Sequence, residues 1–228
     1  MKDVNIILGR FQPFTLGHLS MAEAGAKKNR LPSVVLLVRS KKAADARHPF
    51  SDTLIEDELK TVAENYPGLI AGAHTVGSAD IQFIAETCAK YGYMPHLWIT
   101  GDDHKHYMNM FTGTKKGTDQ TYKEYYKNEY QLPDGFLDFS LLTLPRTDVN
   151  NDANKDPWAI SSISGTRVRQ AVKDGDREAY DRMMPEGTDS IFDRFRKELD
   201  LIKEGMTSLT DFIREQMDAV TGCARPDM

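Results

Sequence analysis

Val4-Asn5-Ile6-Ile7-Leu8-Gly9-Arg10-Phe11-Gln12-Pro13-Phe14-Thr15-Leu16-Gly17-His18 passes from an apolar run, through a loop, into a helical pattern. Val4–Leu8 has the continuous apolar character of a buried strand, and the helical pattern extends from about Leu16 to Lys28. A loop between a strand and a helix is where nucleotide-binding α/β domains handle phosphate. Gly9 lets the backbone pass close to a ligand, and Pro13 stiffens the turn. The N-terminus of the following helix presents unpaired N–H groups and partial positive charge to an anion. Arg10 and His18 add donors on either side of the same loop. The first expectation is therefore phosphate chemistry.

Outward from this loop, strands alternate with helices over the first 145 residues. Ser33–Val38 reads as a second buried strand, and Pro49-Phe50-Ser51-Asp52 opens a helix to about Asn65 with Ser51 or Asp52 as its cap. A weaker strand falls near Leu69–Val76, a helix over Ala79–Tyr91, a fourth strand at Leu97–Thr100 and a last one at Phe139–Leu144. This alternation predicts right-handed βαβ units and a Rossmann-like, doubly wound parallel sheet covered by helices on both faces. Residues 105–137, polar and tyrosine-rich, do not read as core but as an insertion, either a lid or a solvated loop. The expected organisation is an α/β domain over residues 1–175 and a C-terminal helical segment over 176–228 packed on it. In that segment Ile191, Phe192, Phe195, Leu199 and Ile202 recur at helical spacing, as core or as a subunit contact, so self-association is an open expectation.

Composition narrows the function classes. The chain has 228 residues, 40% of them hydrophobic and 28% charged, with only two cysteines, Cys88 and Cys223. A disulfide scaffold or structural zinc is not expected, nor is a signal peptide or a membrane span, and the cytoplasm is the expected compartment. The net charge of −5 is unevenly spread: residues 1–47 carry nine Lys/Arg against three Asp/Glu, which leaves −11 on the remainder. A basic N-terminal part on an acidic body suits a small polyphosphate better than a nucleic acid. Lys27, Lys28 and Arg30 are accounted for as cations ending a helix, whereas Arg10, Arg39, Lys41 and Lys42 keep a ligand-binding reading.

In an open parallel sheet, ligands bind beyond the carboxyl ends of the strands near a switch in strand order. Gly9–His18, Arg39–Phe50, Gly101–His104 and Ser164–Arg169 all fall at such ends and are expected to converge on one cleft. No nucleophile elbow, Walker loop or dinucleotide-binding glycine spacing is present. His104 and His106, two residues apart, do not share a helix face and are not read as a metal pair.

Two segments carry a family resemblance. Thr15-Leu16-Gly17-His18 resembles the (H/T)-x-G-H signature of the nucleotidylyltransferase superfamily, and Ile163-Ser164-Gly165-Thr166-Arg167-Val168-Arg169 resembles its second signature, I-S-(S/G)-T-x-x-R. The longer run Gly9–His18, together with Pro49-Phe50-Ser51, is most similar to archaeal-type and phage nicotinamide-mononucleotide adenylyltransferases. The resemblance covers roughly residues 4–175. It implies direct in-line transfer of AMP from ATP to a mononucleotide phosphate, with no covalent enzyme intermediate, so that catalysis is positioning plus electrostatic stabilisation. It implies that His18 binds an α-phosphate oxygen and that Thr15 and Arg10 contact the phosphates. Gly9, Phe11 and Gly17 would shape the ATP loop, while Ser164, Gly165, Thr166 and Arg169 would hold the β- and γ-phosphates; Arg167 is close enough to share the role of Arg169. Arg39, Lys42, Gly101, Asp102 and Asp103 would face the adenosine or the acceptor. Trp98 would stack on the nicotinamide ring or, equally, be a core aromatic, and Asp102 and Asp103 have the alternative role of helix caps. Mg²⁺ is implied by ATP, and no protein ligand set for a metal is expected.

The chain also departs from that pattern. The Glu-Arg that usually follows Pro-Phe-(Ser/Thr) is absent from Ser51-Asp52-Thr53-Leu54-Ile55-Glu56, and Gly101-Asp102-Asp103-His104 stands where an Asn-Pro stretch is usual. No Nudix pattern follows. These departures bear on the acceptor, nicotinamide or nicotinate mononucleotide, more than on the reaction. A phosphopantetheine adenylyltransferase or a cytidylyltransferase, and a non-catalytic nucleotide sensor, remain the alternatives.

Overall fold

A computed structural model describes residues 1–39, 48–101, 113–144 and 158–202. Five strands, β1 (Lys2–Gly9), β2 (Ser33–Val38), β3 (Ile70–Val76), β4 (Tyr93–Gly101) and β5 (Ser140–Leu144), form one sheet in the order β3-β2-β1-β4-β5. Every neighbouring pair is parallel. Helices α1 (Leu16–Asn29), α2 (Asp52–Asn65) and α3 (Ile81–Tyr91) connect the first four strands. The chain continues through α4 (Tyr122–Glu129), α5 (Gly165–Asp174), α6 (Arg177–Asp181) and α7, helical over residues 192–202. This is the expected Rossmann-like α/β fold.

The middle of the sheet is apolar on both sides because successive side chains alternate between two buried faces. Ile7, Val35, Leu37, Leu97 and Ile99 point to one side, where they pack with residues of α1, α2, α5, α6 and α7. Val4, Ile6, Val34, Leu36 and Trp98 point to the other, toward α3 and the segment that follows β4. The apolar set at and just before α7 belongs to the first face: Ile191, Phe192 and Phe195 are buried there, and Leu199 packs against that cluster. Lys27 and Lys28 end α1, and Arg30 is its left-handed cap. Ser51, rather than Asp52, caps α2, its Oγ accepting from the Leu54 N–H at 3.3 Å.

One expectation is corrected. The stretch between β4 and β5 does contribute to the core: Tyr126, Leu132, Phe136 and Leu137 are buried against the α3 face. Their polar neighbours mask them in sequence. Lys115 lies 3.8 Å from the Tyr125 ring and 4.5 Å from the Tyr126 ring, so even the tyrosines and a lysine of this stretch pack together.

Candidate functional site

The chain reverses its direction of travel across the sheet between β1 and β4, and the crevice beyond their carboxyl ends is the switch point of this topology. β1 delivers Gly9 and the loop to His18 there, and β4 delivers Gly101, paired with Leu144 of β5. A 3-10 turn at Ile160–Ser162 then brings the start of α5 against the start of α1. Two glycines permit that approach. A Cβ on Gly165 would lie 2.6 Å from the Gln12 carbonyl oxygen, and one on Gly17 would lie 3.1 Å from that of Ile163. Both sequence signatures thus meet through backbone contact, and two helix N-termini open onto one place.

His18 is held by the loop that precedes it. The Thr15 N–H donates to His18 Nδ1 at 3.0 Å, and Thr15 Oγ1 lies 3.1 Å from the same nitrogen. With Nδ1 committed as an acceptor, the proton of the neutral ring is assigned to Nε2. The Phe14 ring stacks against the imidazole at a centroid distance of 5.3 Å, and Phe11 meets it edge-on at 5.2 Å. Phe11 has φ 44°, a left-handed conformation that costs a non-glycine residue about 1–3 kcal/mol. Its buried ring, packed on Phe14 and His18, offsets that strain. The result is a half-buried imidazole with a defined tautomer and little freedom to rotate.

The second signature is organised around Arg169. Its guanidinium donates to the Gln12 carbonyl oxygen at 2.5 Å and to Thr166 Oγ1 at 3.0 Å, bridging the first loop to the start of α5. Ser164 caps that helix, with Oγ 3.4 Å from the Arg167 nitrogen. Arg167 turns elsewhere: it donates to the Ser162 carbonyl at 3.1 Å and lies 5.5 Å from the Trp158 ring, which Arg182 also approaches at 4.9 Å. Arg169 thus makes a direct contact between the signatures. Arg10, exposed, has its guanidinium 3.3 Å from His48 Nε2.

Trp98 is not placed to stack on a ligand. It lies in the middle of β4, 1% exposed, with its ring edge-on to Phe139 and its side chain on the α3 face of the sheet. Strand alternation accounts for this, since Trp98 pairs with Ile6 and shares its face. The core reading of this residue replaces the stacking one. Arg39 is exposed just past the end of β2, its N–H bonded to the Val76 carbonyl. Lys41, Lys42, Asp102, Asp103, His104, His106 and Cys223 lie outside the described residues. Among the described residues no group of three or more His, Cys, Asp or Glu side chains could hold a metal ion, and no helix is long and apolar enough to cross a membrane.

Three residues of the site were not anticipated. The Gln12 side chain clamps Phe50, donating to its carbonyl at 3.0 Å and accepting from its N–H at 2.9 Å. His48 stands beside Arg10. Glu58, fully buried in α2, accepts from the Phe14 N–H at 3.1 Å. Burial pushes its carboxyl well above the usual carboxylate range, against a smaller lowering by the Phe14 bond. A signal for Glu58 does exist in the sequence. It falls among Leu54, Ile55, Leu59 and Val62, on the apolar face of an amphipathic helix.

No family model matches the chain, and no curated protein matches it in sequence. Solved structures do. The chain is similar to nicotinic acid mononucleotide adenylyltransferase of Plasmodium falciparum, both complexed with APC (TM-score 0.50, 13% identity) and complexed with NaAD (TM-score 0.51, 14% identity); each match covers 87% of this chain and 98% of that one. It is also similar to a bifunctional NMN adenylyltransferase/ADP ribose pyrophosphatase from Francisella tularensis, complexed with AMP and a Mn ion, with TM-score 0.50 and 14% identity over 96% of this chain and 56% of that one. At such identities the likeness is one of architecture, and the chain has the Rossmann-like α/β fold of the nucleotidylyltransferases.

Proposed function

We propose that the protein is an ATP-dependent adenylyltransferase that joins AMP to nicotinamide or nicotinate mononucleotide, giving the dinucleotide and pyrophosphate. The observation that carries this reading is the fixed pair of signatures. The Thr15 N–H holds His18 Nδ1, which assigns the ring proton to Nε2, and the loop that holds the imidazole is tied through Arg169 to the start of α5. The fold shared with mononucleotide adenylyltransferases supports it.

In this reading a phosphate oxygen of the mononucleotide attacks the α-phosphorus of ATP. The new P–O bond forms as the bond to the α,β-bridging oxygen breaks, and pyrophosphate leaves with that electron pair. His18 donates from Nε2 to a non-bridging α-phosphate oxygen as charge builds there. The N–H groups at the start of α5, with Ser164, Thr166 and Arg169, hold the leaving phosphates, and Arg10 neutralises charge from the first loop. These groups are cations and hydrogen-bond donors to phosphate, so Mg²⁺ is expected as the counter-ion carried by ATP. When bound it would neutralise phosphate charge. Arg39 and Gly101, with Lys42, Asp102 and Asp103, are proposed to face the acceptor.

Pyrophosphate release from ATP and Mg²⁺ over a panel of acceptors (nicotinamide mononucleotide, nicotinate mononucleotide and phosphopantetheine), with the product identified by mass, tests the proposal. A dinucleotide is expected with one of the first two, and His18→Ala is expected to lower kcat by about 10²–10³-fold. Product from phosphopantetheine alone, or ATP binding without product from any acceptor, would overturn it.

A further inference from the structure

Glu58 is an expensive residue for the place it occupies. It is fully buried beside the apolar cluster that joins α1, α2 and α6, yet only one of its two carboxyl oxygens is satisfied among the described residues: Oε2 accepts from the Phe14 N–H, while Oε1 meets no hydrogen-bond partner there. A buried polar atom left unpaired is uncommon in native proteins and opposes stability. Leucine or methionine at this point of α2 would suit the surrounding apolar face better. The carboxyl has therefore to be explained by what it holds, and what it holds is the residue before the cap of α1.

Phe14 and Thr15 present consecutive N–H groups with different tasks. The first donates to Glu58 Oε2 and the second to His18 Nδ1. Anchoring the Phe14 N–H fixes the plane of the peptide before Phe14, and with it the ring that stacks on the imidazole. We propose that Glu58 is a positioning residue for His18: its buried carboxyl sets the Phe14–Thr15 backbone so that the Thr15 N–H meets Nδ1 and the ring proton stays on Nε2. The consequence for turnover rests on the adenylyltransferase reading, whereas the effect on His18 does not. Burial raises the pKa of this carboxyl and so disfavours its charged form, which limits negative charge beneath a site for polyphosphate while leaving an acceptor for the backbone N–H.

The full-length chain with Glu58→Gln and Glu58→Leu provides the test. Gln keeps a neutral acceptor for the Phe14 N–H, and Leu removes it. Long-range ¹H–¹⁵N correlation spectra of the His18 ring, assigned with His18→Ala, report the tautomer directly. The Nε2–H pattern is expected in the parent protein and in Glu58→Gln, with a mixture of tautomers in Glu58→Leu. With ATP and the acceptor, Glu58→Leu is expected to lose kcat by on the order of tenfold to a hundredfold at nearly constant KM for ATP, and Glu58→Gln to stay within about threefold of the parent. If Glu58→Leu does not fold, Glu58→Met takes its place, because its unbranched chain follows the same path. An unchanged tautomer pattern in the Leu or Met variant overturns the proposal, as does a Gln variant that behaves like Leu. A parent protein that shows the Nε2–H pattern but turns over no acceptor leaves the positioning role standing and overturns the adenylyltransferase reading instead.

Discussion

Arg169 and Gly165 show how single residues join the two signatures. A guanidinium can donate to the Gln12 carbonyl and to Thr166 Oγ1 at once, whereas a lysine ammonium at the end of a flexible chain reproduces the charge without the planar fork. Arg169→Lys is therefore expected to keep the fold but lower kcat/KM for ATP by on the order of tenfold or more, read by steady-state kinetics. An unchanged value would mean that charge alone is needed. Gly165→Ala acts by sterics, because its Cβ must displace backbone rather than the end of a side chain. A destabilisation of about 1–3 kcal/mol is expected in urea titrations, with the KM for ATP raised as the two helix starts separate. The grouping of Thr15, His18, Ser164, Thr166 and Arg169 was legible through the resemblance of their segments to the two signatures. Glu58 and Gln12 were not, because their partners are backbone groups 44 and 38 residues away.

At the scale of elements, the sequence read best where burial is two-sided. β2 is apolar at every position after Ser33, and its reading needed no knowledge of its neighbours. The segment between β4 and β5 read worst, because its buried residues are thinly spread among lysines, threonines and tyrosines. Phe136 is fully buried there, beside Leu132 and Leu137. Phe136→Ala is expected to cost about 3–5 kcal/mol in a chemical denaturation experiment, as large a loss as at a central core position. A loss below 1 kcal/mol, as for a surface substitution, would show that this segment does not cover the sheet as described. Trp98 makes the same point in reverse. An aromatic in a strand that leads to the site invites a ligand role, but the parity of its position, shared with Ile6 on β1, places it on the far side of the sheet from α1.

Across the whole molecule, stability should carry the signature of Glu58. In the unfolded chain its carboxyl titrates near about pH 4.3, while in the fold burial holds it well above that. Between those two values the folded state keeps a proton that the unfolded chain has released. This group's contribution is therefore fully present below the unfolded pKa and is lost as pH rises toward the folded one, by up to about 1.4 kcal/mol per pH unit. The Tyr180 hydroxyl, which faces it and donates to the Thr188 carbonyl, is itself held high by burial and stays neutral over this range. Glu58→Gln removes the linkage. Urea midpoints of parent and variant are expected to converge near about pH 4 and to separate in favour of the variant as the pH rises above the unfolded carboxylate value. Parallel profiles would mean that the carboxyl ionises at its ordinary pH inside the fold.

The sequence alone determined the alternation of strands and helices, the parallel sheet this implies, and the two signatures at the ends of strands, because periodicity, apolar runs and short motifs are local properties of the chain. Three things were decided only by tertiary structure. Strand neighbours sent Trp98 into the core. The close approach of Gln12 to Gly165 and Arg169 turned two separate motifs into one site. Burial changed the chemical character of Glu58, which in sequence is one of 34 acidic residues and in the fold is a desolvated carboxyl beneath the Gly9–His18 loop. The apolar face of α2 marks Glu58 as facing inward, but the extent of its desolvation depends on every element that packs around it, which no local pattern carries.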